Sequence, residues 1–189
     1  MRYVGQLLRC YLVFEGEDRV GILDMHADHE RVMFYRLKVQ LTGGAVHSQW
    51  LLLPESVNAD GELVQRLPLL QPALERFGFV VEPLGETSMV VRAVPALLAS
   101  VAPGPLVLDL LSTVEADLRD CHLEQRVDAV IARLACHRSI RSGREMEAPE
   151  AYELLEALDT ADSSGYCPHG RPVMTFLVQR EFESMFGRV

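Results

Sequence analysis

The hexapeptide Cys167-Pro168-His169-Gly170-Arg171-Pro172 constrains this chain more than any other stretch. Two prolines and a glycine within six residues oppose both helix and strand, so the segment reads as a turn. It presents a thiol and an imidazole two positions apart. What it lacks as a metal site lies far away in sequence. Asp24-Met25-His26-Ala27-Asp28-His29-Glu30 sits near the start, and Ala135-Cys136-His137 lies between the two. Thiolate, imidazole and carboxylate are the ligands zinc prefers. If the fold unites the three pieces, the chain holds a metal site with catalytic carboxylates. If it does not, the chain is an ordinary acidic globular domain.

A length of 189 residues predicts one domain, or two small lobes sharing one chain. Hydrophobic residues make up 49%, enough for a sizeable core without disulfide staples. The four cysteines, at positions 10, 121, 136 and 167, are too scattered for a secreted disulfide framework. Residues 1–6 lead straight into a strand pattern rather than a signal peptide, and no apolar run reaches the ~18–20 residues of a membrane span. The expectation is a cytoplasmic, reducing setting with no membrane partner. The formal net charge of −9 argues against tight, unaided binding to nucleic acid, because phosphate neutralisation supplies most non-specific affinity. Either the chain does not touch nucleic acid, or something else keeps it there.

Hydrophobic patterning predicts a strand over 7–14, a turn at 15–18 and a returning strand over 19–23 that delivers Asp24. A helix follows over 27–41, stopped by Gly43-Gly44. His26 and Glu30 are four apart and project from one face of its first turn. A strand over 46–53 ends at Pro54, and 60–77 holds one or two short helices with Pro68 and Pro72 near helix starts. A second hairpin pairs 79–82 with 88–94. Helices are predicted from Pro103-Gly104-Pro105 to about 119, over 123–137 and over 150–158. The chain closes with a strand over 173–178 and a short helix over 180–186. Strands and helices mix without regular β-α alternation, so the fold class is α+β.

Read from the residues alone, His26, Glu30, Cys136, Cys167 and His169 are five candidate ligands, one more than a single tetrahedral ion needs. The excess suggests two metals sharing Glu30, or one site with an alternative ligand. Two ions ~3.5–4 Å apart can activate water and stabilise a leaving oxygen in phosphodiester cleavage. Asp24 is the natural general base or an extra ligand. Each piece also has a plainer reading: Cys136 as a small core residue, Asp24 as a helix cap. The His-Glu-x-x-His and zinc deaminase signatures are absent, as is a glycine-rich phosphate loop.

These residues resemble the C-terminal domain of the MutL mismatch-repair family. The match runs through Gly5-Gln6-Leu7 with Tyr11, then Asp24-Met25-His26-Ala27 and Glu30-Arg31. It continues in Ala135-Cys136-His137-Arg138-Ser139-Ile140-Arg141, the Cys167–Pro172 hexapeptide and Phe186-x-Arg188. It covers essentially the whole chain, in order. The resemblance implies a metal-dependent endonuclease that nicks DNA, with Asp24 and Glu30 catalytic. It implies metal ligation by His26, Glu30, Cys136, Cys167 and His169, with zinc regulatory and manganese or magnesium supporting activity. It further implies two lobes. A sheet-and-helix dimerisation lobe built from both chain ends, 1–48 and 135–189, would carry the metal site. A smaller α/β regulatory lobe, 49–134, would be inserted between them. The expected partners are a second copy, double-stranded DNA held weakly, and, through the full-length protein, a mismatch-recognition protein. The family's ATPase region would precede this stretch, which makes the chain an expected fragment with an introduced Met1. Localisation would be bacterial cytoplasm, on the nucleoid when acting.

One departure stands out. The family's first motif commonly carries a second Glu five residues after the first, where this chain has Tyr35. A phenol cannot replace a bridging carboxylate, so rate or metal dependence is expected to differ. The alternative function is a catalytically weak or inactive, zinc-stabilised dimerisation and clamp-binding module. Gln49-Trp50-Leu51-Leu52-Leu53-Pro54 resembles the family's Gln-x-x-Leu-x-Pro segment for docking on the replication sliding clamp. Gln49 would bond at a pocket rim, Leu52 would fill the pocket and Pro54 would fix an extended backbone. A buried strand is the competing reading. A tether of this kind would relieve the charge problem by raising the local DNA concentration. Among lesser features, Cys10 and Cys121 read as core thiols. His29 and His137 read as neighbours of the ligands, and His47 and His122 as surface residues. Arg31, Arg36 and Lys38 read as a basic strip on a solvated helix face.

Overall fold

The computed structural model describes residues 1–120, 123–137, 145–161 and 165–188, with 114–120 and 123–126 described as backbone only. Cys121, His122 and the stretch Arg138–Arg141 of the second motif lie outside the described residues. The fold is α+β, and the described residues form six α-helices and two antiparallel sheets. Contacts divide the chain into two units, Met1–Tyr35 with Ser139–Val189, and Arg36–Arg138.

In the first unit, β1 (Arg2–Leu7), β2 (Tyr11–Glu15), β3 (Arg19–Asp24) and β7 (Met174–Val178) form a sheet in that order. Alternation on β2 sends Leu12 and Phe14 into the core, where they meet Leu23, Met25 and Ala151. Ala151 belongs to α5 (Ala148–Thr160), which also lays Leu154, Leu155 and Leu158 on this cluster. The strand expected over 7–14 is in fact a hairpin. Leu8 and Arg9 take φ of 50° and 54°, and the Cys10 amide donates to the Leu7 carbonyl at 3.0 Å. Two consecutive left-handed residues match the twist of the flanking strands within the three-residue loop 8–10, but such turns normally announce themselves with Asn-Gly. Cys10 is half-buried at this turn rather than in the core.

α1 spans Met25–Thr42. Asp24, the last residue of β3, caps it: Oδ1 accepts from the amides of His26 at 2.9 Å and Ala27 at 3.1 Å. Arg31 is buried while Arg36 and Lys38 are exposed, so no continuous basic strip forms. Lys38 pairs with Asp128 at 2.7 Å. The first unit ends in α6 (Gln179–Met185), whose entry is fixed by the Val178 amide donating to Glu181.

In the second unit, β4 (Ser48–Asn58), β6 (Ser88–Pro95) and β5 (Val80–Pro83) form a sheet in the order β4-β6-β5. β4 does not end at Pro54. Trp50 pairs with Ala93 and Glu55 with Val91, so Leu51, Leu52, Leu53 and Pro54 stand opposite Arg92 alone. Pro54 has no amide to give a ladder and is accommodated in this bulge. The 60–77 region is one helix, α2 (Gly61–Arg76), with Pro68 and Pro72 inside it. Both prolines are exposed, and the buried stripe Val64, Leu67, Leu70 and Leu74 holds the helix against their missing hydrogen bonds. A 3-10 turn over Ala96–Leu98 leads to α3 (Pro103–Asp120) and α4 (Leu123–His137). Leu106, Val107, Leu110 and Leu111 of α3 are buried, as are Val130, Ile131, Leu134 and Ala135 of α4. Among the described residues, no helix is long and apolar enough to cross a membrane.

Candidate metal centre

Sheet register brings the first and third motifs together. β3 pairs with β7 through Leu23 and Met174, and the Asp24 amide donates to the Val173 carbonyl at 2.9 Å. The residues just before β7 therefore lie beside the first turn of α1. They form a closed loop. Val173 N donates to Gly165 O at 2.9 Å, Tyr166 bridges Pro172, and Cys167 N donates to Arg171 O at 2.8 Å. Within it, Gly170 N donates to Cys167 O at 2.9 Å, closing a tight turn whose Gly170 has φ of 79°. The prolines and glycine of the hexapeptide thus build the turn that their chemistry demands.

His169 projects from this turn to Glu30. Its Nδ1 lies 3.2 Å from Glu30 Oε2. His26, one helical turn before Glu30, places Nε2 3.1 Å from Glu30 Oε1. The two carboxylate oxygens thus face two different imidazoles. Glu30 is buried, with a side chain 4% exposed, while the histidines are 43% and 41% exposed, so the group opens outward on its imidazole side. Cys167 is buried and packs with Ala27 and Val173. Cys136 is half-buried on the last turn of α4 in the second unit, a thiol outside the fully buried core.

Asp28 was legible only as one more acid at the helix start, yet it has no solvent exposure. Among the described residues, neither of its carboxylate oxygens has a hydrogen-bond partner. Burial, followed by the nearby charge of Asp24, pushes its carboxyl up to about 8. The signal was its spacing, three after Met25 and four before Val32, both of which are buried.

The family model for the MutL C-terminal dimerisation domain matches residues 4–146. This chain belongs to that family. DNA mismatch repair protein MutL of Phenylobacterium zucineum is 37% identical over 184 residues, and that of Paramagnetospirillum magneticum 40% over 184. MutL of Trichlorobacter lovleyi is 36% identical over 189. These alignments cover 97–98% of the chain but only 30–31% of the relatives, so the chain spans about a third of the length of the MutL proteins it resembles.

Within this MutL domain the Gln49–Pro54 segment lies on the β4 bulge. Leu52 is fully exposed, Leu53 is 84% exposed and Trp50 62%. The buried-strand reading of these apolar residues is therefore wrong: the bulge breaks the alternation that would have sent them inward. Gln49 is exposed, and its side-chain amide donates to the Trp50 carbonyl at 3.0 Å. Tyr35, where the family commonly has Glu, is half-buried on α1.

Proposed function

We propose that this chain is the metal-dependent DNA nicking endonuclease and homodimerisation domain of a MutL protein. One observation carries the reading: Glu30, a buried carboxylate, meets His26 with one oxygen and His169 with the other. Donors held about 3.3 Å apart fit the edge of a tetrahedral zinc site with ligand bonds of ~2.0–2.1 Å. A carboxylate facing two imidazoles also suits one shared between two cation positions. His26, Glu30 and His169 supply one carboxylate and two imidazoles, donors suited to zinc. In this reading Cys136 and Cys167 complete the ligand set, and manganese or magnesium supports turnover.

Bound there, a divalent cation supplies Lewis acidity toward a phosphodiester oxygen and lowers the pKa of water. The chain's own residues do the rest. Glu30 and the two histidines hold the reacting groups in place. Asp24 has one oxygen committed to the α1 cap, which leaves Oδ2 to accept the proton of the attacking water. The lobe containing both chain ends dimerises, in keeping with the family's description as a dimerisation domain. The inserted lobe presents Gln49, Leu52 and Pro54 to the sliding clamp, and the exposure of Leu52 supports that role. Docking keeps a chain of net charge −9 on double-stranded DNA. Mismatch recognition reaches it through the full-length protein.

The test is nicking of supercoiled plasmid with manganese, with and without clamp, comparing wild type and Asp24→Asn. Clamp-stimulated nicks lost in the variant bear out the enzyme. Tyr35 in place of a second Glu, and the apolar packing of Cys167, favour a second reading: a zinc-stabilised dimerisation and clamp-binding module. A metal-loaded dimer that never nicks would select it.

A further inference from the structure

We propose that Asp109, Arg133 and His137 form a positioning network that sets the direction of the Cys136 thiol for metal binding. The inference rests on the metal-centre reading above and concerns residues to which that reading gives no part. Asp109 lies on α3, and Arg133 and His137 lie four apart on α4. Arg133 Nε sits 2.6 Å from both Asp109 oxygens, and its Nη2 pairs with Oδ1 as well. His137 Nε2 sits 2.9 Å from Oδ2. One carboxylate therefore ties down two side chains that bracket Cys136.

The location gives the contact its consequence. Cys136 lies between Arg133 and His137 in the last described turn of α4. A metal ligand must be held to a fraction of an ångström, and the helix backbone alone does not hold a side chain that closely. Buried Leu134 and Ala135 fix which side of α4 faces the core. They do not fix the rotation and pitch of the final turn. The Asp109 grip does, because a forked guanidinium bond is directional and the imidazole bond sits one turn further along. Asp109 and His137 are partly shielded, at 20% and 24% exposed, while Arg133 is 54% exposed, so the His137 bond is the better protected from screening. Outer residues that orient ligands by hydrogen bonds in this way tune metal sites on other scaffolds.

The experiment measures metal affinity and ligation in the intact domain without relying on activity. Wild type, Asp109→Ala, Asp109→Asn, Arg133→Lys and Cys136→Ser are titrated with cobalt(II), following the thiolate-to-cobalt absorption, and with zinc against a chelator. Circular dichroism and melting check folding. Cys136→Ser is expected to lose the thiolate band. Asp109→Ala is expected to stay folded, to lower zinc affinity about 10–100-fold and to weaken the band. Arg133→Lys keeps the charge without the fork and should fall between wild type and Asp109→Ala. If Asp109→Ala does not fold, Asp109→Asn and Arg133→Lys decide. Unchanged affinity and band in the folded variants, with the band lost in Cys136→Ser, would overturn the network while leaving the metal centre intact. No effect from Cys136→Ser would instead remove Cys136 as a ligand, and this inference with it.

Discussion

Glu30 and His169 are separated by 139 positions in sequence and by 3.2 Å in the fold, carboxylate Oε2 to imidazole Nδ1. No local propensity produces that contact. It follows from β7 pairing with β3, which lays the Cys-Pro-His turn against the first turn of α1. If the contact serves a metal, removing its carboxylate must do more than remove an outer partner. Glu30→Gln is expected to lower zinc affinity by more than about 100-fold, beyond the usual effect of losing an orienting residue. Zinc titration against a chelator reads this; a loss under tenfold would show that Glu30 is not a ligand.

Asp28 predicts an unusual pH dependence. Its folded carboxyl sits at about 8, above the unfolded value of 3.8. Between those values the folded chain keeps a proton that the unfolded chain releases. The stabilisation is therefore full below the unfolded value and falls as pH rises toward 8, by at most about 1.4 kcal/mol per pH unit. Denaturant unfolding of the metal-free protein at pH 5.5 and 7.5 should show wild type losing stability relative to Asp28→Asn over that interval. Parallel curves for the two proteins would mean that Asp28 ionises normally.

Asp109 works in the opposite sense. Partial burial pushes its carboxyl up, but hydrogen bonds and charge from Arg133 and His137 outweigh that and hold it below the usual range. Its stabilisation is present above the unfolded value of 3.8 and disappears as pH falls through the lower folded value. Wild type should therefore lose stability on acidification below about pH 4 more steeply than Asp109→Asn, by a modest amount because the carboxylate is partly solvated. Acid titration followed by circular dichroism makes the comparison, and equal slopes would contradict it.

If the exposed β4 bulge docks on the sliding clamp, docking and folding are separable there. Leu52 and Leu53 are exposed, so Leu52→Ser with Leu53→Ser should change stability by less than about 0.5 kcal/mol. The same pair should abolish binding to the sliding clamp. A large loss of stability would place these leucines in a core, and unchanged clamp binding would remove the segment from the interface.

Much of this fold could be read from residue patterns, and the exceptions have definite causes. The α1 stop at Gly43-Gly44, the second hairpin and α4 follow from periodicity and turn residues, which act locally. The Leu8-Arg9 turn was hidden because neither residue favours left-handed backbone; the strands on either side impose it. α2 runs through Pro68 and Pro72 because tertiary burial of its leucine stripe outweighs two lost hydrogen bonds on an exposed face. At the site, residue type singled out His26, Glu30 and His169, and the cap formed by Asp24 was a recognised alternative. Asp28 and Asp109 were missed for one reason. What sets each apart is its surroundings in three dimensions, burial for one and a grip on two side chains of another helix for the other.

The most direct test of the central claim is the metal content of the purified domain, measured by elemental analysis after reconstitution with zinc and removal of the excess. The account predicts at least one tightly held zinc per chain in wild type and loss of that zinc in Glu30→Gln and His169→Ala, with all three proteins folded. A folded wild-type domain that retains no metal, or variants that retain as much as wild type, would contradict it.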